Sequence, residues 1–170
     1  MSQLRFPGVP KVGIGPATDA DIPAIQALMA PHVASGAVLP RVVVAADFLV
    51  ARVQGRIEGC VALTPWTDEV IELGSLVSAR PGLGRLLVEA ACDLAEARGC
   101  QQIVALTGVA DFFLRCGFEP QPAAPWAVAR GMVGGPPAVA AKARKCAACP
   151  LLAGCAQTLL ARPVKIRMAA

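Results

Sequence analysis

Three cysteines near the C-terminal end carry the most distinctive spacing in this chain: Lys145-Cys146-Ala147-Ala148-Cys149-Pro150, followed by Cys155. C-x2-C is a separation at which two thiolates on one turn grip a single metal ion, and Cys155 lies near enough in sequence to fold back as a third ligand. Arg144 and Lys145 favour the thiolate forms electrostatically. Cys146, Cys149 and Cys155 are therefore candidate ligands for zinc or an iron–sulfur cluster, completed by His32, Cys116 or a partner's residue. The alternative is three apolar-packed thiols, or a reversible disulfide between two of them, pinning the tail. A second candidate is Ala79-Arg80-Pro81-Gly82-Leu83-Gly84. A Gly-rich turn opening a helix aims several backbone N–H groups, and the positive end of the helix dipole, at one spot suited to an anion. Gly82 and Gly84 keep that approach free of Cβ atoms, or serve only a tight turn. His32, the one histidine, stands beside Pro31 and reads as structural, with metal ligation or acceptor binding as the alternatives.

These residues sit in 170, about one domain's worth. With 55% apolar and only 16% charged residues the chain is not disordered. Its formal charge of +4 comes without a basic run, so no nucleic-acid footprint is present. The longest uncharged stretch, residues 22–40, holds three prolines, a Gln, a His and a Gly, which excludes a membrane span. Residues 1–11 lack the apolar run of a secretory signal. Seven cysteines, an odd number, fit a reducing compartment, and a cytoplasmic protein is expected. The 33 alanines and the ratio of twelve Arg to four Lys suggest a GC-rich genome.

Several elements must position the candidates. Residues 1–10 read as an arm interrupted by Pro7, Gly8 and Pro10, and Val12-Gly13-Ile14 as a short strand. Thr18, Asp19 and Asp21 supply helix-start chemistry, and Ile22, Ile25, Leu28 and Met29 recur at helical spacing to about Pro31. Residues 48–53 and 57–63 form a hairpin across Gln54-Gly55-Arg56. Residues 69–77 alternate as a third antiparallel strand. The clearest amphipathic helix starts at Leu83, runs through Leu86, Leu87, Ala90, Ala91 and Leu94, and closes at Gly99. Residues 101–107 are a buried strand and 110–116 a short helix. Residues 120–145 are Pro-, Gly- and Ala-rich and read as a long loop with at most one helical turn. Residues 146–170 form the cysteine tail, with a last strand at 163–168. Trp66 and Trp126, beside prolines, read as packing anchors. The order predicts one mixed α/β domain over 1–170 with an antiparallel front half.

That order resembles the GNAT superfamily of acetyl-CoA-dependent N-acyltransferases. Gly15-Pro16-Ala17-Thr18-Asp19-Ala20-Asp21-Ile22 is similar to the start of its first helix. Glu72-Leu73-Gly74-Ser75-Leu76-Val77, then Gly82-Leu83-Gly84-Arg85-Leu86-Leu87, resembles its cofactor strand and pyrophosphate loop. Ala105-Leu106-Thr107 and Phe112-Phe113-Leu114-Arg115-Cys116-Gly117-Phe118 resemble the next strand and helix. A narrower resemblance, to short single-domain N-acetylglutamate synthases, rests on Ala30 to Gly36, on Leu39-Pro40-Arg41 and on the cysteine tail.

The resemblance implies a mostly antiparallel central sheet flanked by helices, with acetyl-CoA as co-substrate and a small amine as acceptor. Leu76, Val77, Gly82, Leu83, Gly84 and Arg85 would bind the cofactor, and the Leu76 or Val77 N–H would hold the oxyanion. Glu72 would be the base, directly or through water, unless it is a solvent-facing strand residue. The chain has no Tyr to act as acid. Cys116 or Ser75 could substitute, Cys116 reading also as a small core residue. The loop departs from the family at Ala79, Arg80 and Pro81, the last without an N–H, and Gly74 stands where synthase-like relatives carry Arg. The stretch from Arg41 to Phe48 is short where the family places a second helix. Two readings follow: an N-acetyltransferase acting on a small amino acid such as glutamate, in arginine biosynthesis, or a silent GNAT-like binding subunit. A homodimer or a protein partner fits either.

Overall fold

A computed structural model describes residues 3–4 and 11–165. Within the expected arm lies β1 (Gln3–Leu4), paired antiparallel with β2 (Val12–Pro16). The remainder of the arm, and residues 166–168 of the expected last strand, lie outside the described residues. The chain divides into two compact units, Met1–Leu63 with Leu73–Asp93, and Thr64–Glu72 with Leu94–Ala170.

In the first unit, Asp21 fixes the start of α1 (Ile22–Ala34). Its Oδ2 accepts from the Thr18 N–H at 2.7 Å and the Thr18 hydroxyl at 2.9 Å. Arg52 Nη2 adds a third donor at 2.6 Å. The helix passes the expected end at Pro31 and stops at Ala34, with Gly36 at φ +76° beyond it. Pro31 removes one backbone donor late in the helix, after propagation is established, and this is not enough to end it. Ile25 and Met29 bury its inner face among Phe48, Val50, Cys60, Ala62 and Val77.

β3 (Phe48–Val53) pairs antiparallel with β2 and with β4 (Arg56–Pro65). Gln54 and Gly55, at φ +50° and +80°, make the tight two-residue turn of the expected hairpin. β5 (Val70–Ser78) and α2 (Leu83–Ala97) follow. α2 lies so close on β4 that a Cβ on Gly59 would stand 2.9 Å from Leu87 Cδ1 and 3.1 Å from Leu83 Cδ2. Strand order here is β1-β2-β3-β4-β5.

In the second unit, the first residues of β5 pair in parallel with β6 (Gln102–Thr107), Glu72 standing opposite Val104. The expected third strand follows β4 in the sheet, the Ala79 N–H bonding back to the Glu58 carbonyl, and its parallel pairing with β6 is an addition to that expectation. α3 (Ala110–Arg115) and β7 (Glu119–Pro120) come next. The expected loop at 120–145 instead contains α4 (Pro125–Ala129) and most of α5 (Pro137–Cys146). Each helix has a proline in its first turn, where the missing N–H costs nothing and the fixed φ is already helical. A Cβ on Gly135 would meet Val128 at 3.0 Å and Val139 at 3.1 Å, so the connection packs tightly. β8 (Thr158–Pro163) pairs antiparallel with β6 over six residues and with β7. It precedes the expected strand because Leu159, Leu160 and Ala161 are all buried, a continuous apolar run with no alternation to detect. The architecture is the mixed α/β, mostly antiparallel fold anticipated above.

Candidate functional site

In the first unit, the distal part of β5 departs from regular strand at Ser75, whose φ of +49° a non-glycine residue rarely adopts. Cys60, on β4, donates its thiol to the Ser75 carbonyl at 3.8 Å. Burial pushes that thiol up to about 12, and the Val77 N–H, directed at the sulfur, partly offsets the rise. Val77 is itself a core residue, so of the two expected oxyanion donors its N–H already has a partner in the core. Leu76, half-buried beside the distorted residue, is the stronger candidate.

The loop after β5 is tied back to β4. The Ala79 N–H donates to the Glu58 carbonyl at 2.8 Å. Arg80 forks onto the Glu58 carboxylate through Nε and through Nη2, the latter at 3.0 Å, and holds that carboxyl below its ordinary range. Gly82 has φ +82° with open space where a Cβ would stand, so backbone conformation rather than clearance demands glycine there. Leu83 is buried, and its N–H closes a turn on the Arg80 carbonyl at 3.3 Å. Leu83 thus anchors the helix. The Gly84 and Arg85 N–H groups belong to the first turn of α2, where a helix has no acceptors of its own. That turn carries no acidic residue. The Arg85 side chain is exposed beside it. An anion placed there meets N–H donors, a helix dipole and a cation.

Glu72 belongs to the second unit, and it is not a solvent-facing strand residue. Its side chain is 15% exposed, and its Oε2 accepts from Trp66 Nε1 and from Lys142 Nζ, each at 2.6 Å. Lys142 Nζ also lies 5.8 Å from the Trp66 ring centroid. Trp66 is therefore more than a packing anchor, whereas Trp126 keeps that role, donating to the Gln157 carbonyl at 2.7 Å under the Arg130 guanidinium. Sequence reasoning missed Lys142 because it stood in the presumed loop. The available signal was its place four residues before Cys146, on one face of a helix.

The thiol tail departs from its expectation. Cys146 ends α5, Cys149 follows in a turn, and Cys155 comes after a 3-10 turn at Leu152–Gly154. All three are reduced and half-buried. Burial raises the Cys146 thiol, Lys142 lowers it, and Cys155, Cys149 and Glu72 raise it further. The cation acting on the Cys146 thiol is Lys142 rather than the expected Arg144 and Lys145, and desolvation outweighs it. Among the described residues no group of three His, Cys, Asp or Glu is arranged to hold a metal ion. His32 lies in the last turn of α1, where its backbone carbonyl accepts from Ser35 Oγ at 3.1 Å. Cys116 is buried, its carbonyl accepting from Arg162 Nη1 at 3.0 Å. Among the described residues no helix is long and apolar enough to cross a membrane.

Residues 37–118 match the acetyltransferase (GNAT) family model. An uncharacterized N-acetyltransferase of Chlorobaculum tepidum is 35% identical over 77 residues, covering 43% of this chain and 50% of that protein. The chain thus spans about half the length of this curated relative. N-acetylglutamate synthase from Neisseria gonorrhoeae, solved with coenzyme A and N-acetyl-glutamate, superposes with a TM-score of 0.71 at 22% identity, over 91% of this chain and 35% of that one. A Mycobacterium tuberculosis protein solved with CoA gives 0.70 at 23% identity, over 90% and 99%.

Proposed function

We propose that this chain belongs to the GNAT superfamily, a reading supported by its fold and by the match over residues 37–118, and that it is an N-acetyltransferase. It moves acetyl from acetyl-CoA to the amino group of a small amino acid, with glutamate the first acceptor to test. The observation that carries this reading is the start of α2, opened by Gly82 at φ +82° and free of acidic residues in its first turn. The CoA complexes of the similar structures support it.

The acceptor ammonium loses a proton, its nitrogen attacks the thioester carbonyl, the C–N bond forms and the C–S bond breaks. CoA leaves as a thiolate that takes up a proton. The Gly84 and Arg85 N–H groups, with the Arg85 side chain, hold the pyrophosphate, and Gly82 sets the turn that presents them. The Leu76 N–H stabilises the oxyanion. Glu72 is the candidate base, accepting the ammonium proton directly or through water. Ser75 is the leaving-group acid in place of the absent Tyr, since Cys116 is committed to the core. Cytoplasmic location accords with seven free cysteines. Calorimetry with acetyl-CoA and a CoA-release assay over a panel of amino acids test the reading. Turnover with glutamate identifies the acceptor, turnover with another amino acid moves it, and neither heat nor release rejects the enzyme.

A silent binding or scaffold subunit is the second reading, favoured by one observation. Leu39, Val42 and Val44 are 47%, 83% and 48% exposed in the short segment before β3. Apolar exposure of this kind fits a partner, including a second copy of the chain.

A further inference from the structure

Cys146 and Cys149 bracket a tight turn. α5 ends at Cys146, and the Cys149 N–H donates to the Cys146 carbonyl at 2.9 Å. A bond from the fourth residue of a turn to the first brings their Cα atoms within about 7 Å. Disulfides span Cα separations up to about 6.8 Å. Cys155 lies two turns further on, since Leu152 N–H bonds to the Cys149 carbonyl at 3.1 Å and Cys155 N–H to the Leu152 carbonyl at 3.2 Å. Both thiols are reduced and half-buried, within reach of a small solute, whereas Cys60, Cys100 and Cys116 are buried.

We propose that Cys146 and Cys149 are a redox-active dithiol, which a low-molecular-weight disulfide closes into an intrachain Cys146–Cys149 bond. The Cys149 thiolate attacks one sulfur of the oxidant, whose S–S bond breaks to leave a mixed disulfide and one thiolate. The Cys146 thiolate then attacks the Cys149 sulfur and expels the second thiolate. The protein loses two electrons and two protons, and the oxidant becomes two thiols. The intramolecular second step suits Cys146, whose thiol burial pushes up, because the high local concentration compensates for a small thiolate fraction. The closed bond ties down the end of the helix that holds Lys142 on Glu72.

The experiment treats the reduced full chain with glutathione disulfide, alkylates residual thiols, and maps peptides without reduction. The expected product is the tryptic 146–165 peptide, Arg162 being followed by Pro163 and left uncut, lighter by two hydrogens, linked between Cys146 and Cys149, with Cys155 alkylated and the change reversed by dithiothreitol. In Cys146→Ser, glutathione should stay attached to Cys149 at close to one equivalent. Alkylation of all three thiols after oxidant, a bond to Cys155, or a link between chains would overturn the proposal. The readout is independent of acetyl transfer, so its failure and that of the proposed function are distinguishable.

Discussion

One carboxylate oxygen of Asp21 gathers three donors, from the Thr18 N–H, the Thr18 hydroxyl and Arg52. The Thr18 backbone bond, aided by the hydroxyl and Arg52, holds its carboxyl below the ordinary value of 3.8. A depressed folded value means that its stabilisation is fully present above the unfolded pKa and is lost as pH falls through the folded one. The urea midpoint should therefore drop on acidification below about pH 4, where unfolded carboxylates protonate. Asp21→Asn should cost about 1 kcal/mol at pH 7, as lost caps do, and show a shallower acid limb. A variant limb as steep as the original would assign it to other carboxylates. At Glu72, Glu72→Gln should lower turnover at least tenfold with acetyl-CoA affinity within twofold. Unchanged turnover rules Glu72 out as the base. Lys142→Met should cost about 1–2 kcal/mol, less than a fully buried pair because both side chains keep some solvent. Perfect additivity of the two changes in a double-mutant cycle would show the pair to be uncoupled. Glu72 was visible in the sequence as a carboxylate on an apolar strand. Its partner was not, since an ion pair spanning 70 residues leaves no local pattern.

At the scale of elements, contrast in the sequence decided what was legible. α2 alternates apolar and charged faces, and β3 with β4 flank a turn residue pair, so all three were evident before the structure. α4, with sequence PWAVA, has no charge to mark an outer face, α5 gathers Lys142, Arg144 and Lys145 in its second half only, and β8 buries three consecutive residues. None of these has a period to read. The loop before α2 was legible as Gly-rich, but the reason for each glycine was not. Gly82 answers to backbone conformation, and Gly59, outside that loop on β4, to the close approach of α2. Gly82→Ala should therefore destabilise by about 1–2 kcal/mol, the cost of a left-handed conformation in an L residue. It should also weaken acetyl-CoA binding, because relaxing that strain turns the N–H groups of the next residues. Gly59→Val should cost a similar or larger amount, about 1–3 kcal/mol for overpacking, as Leu83 and Leu87 are buried and have little room to yield. Chemical denaturation measures both, and a neutral Gly59→Val would mean that α2 stands further from β4.

At the scale of the whole molecule, a ligand that binds only the folded chain raises its stability by mass action. Acetyl-CoA at a hundredfold excess over its dissociation constant should add about 2.7 kcal/mol. For a chain of this length each kcal/mol moves the melting temperature by about 2–4 °C, so the shift should be readable by calorimetry. Its chemical origin is separable. If Gly84, Arg85 and the dipole of α2 take the pyrophosphate, acetyl-pantetheine, which lacks that group, should raise the melting temperature by much less at equal concentration. The acetyl-CoA shift should also shrink as salt rises from 50 to 500 mM, a range over which the screening length falls from about 14 Å to about 4 Å. Equal shifts from the two ligands, or one indifferent to salt, would remove the pyrophosphate from the start of α2 while leaving the fold unchanged. No shift from either ligand would favour the scaffold reading, in which Leu39, Val42 and Val44 carry the function.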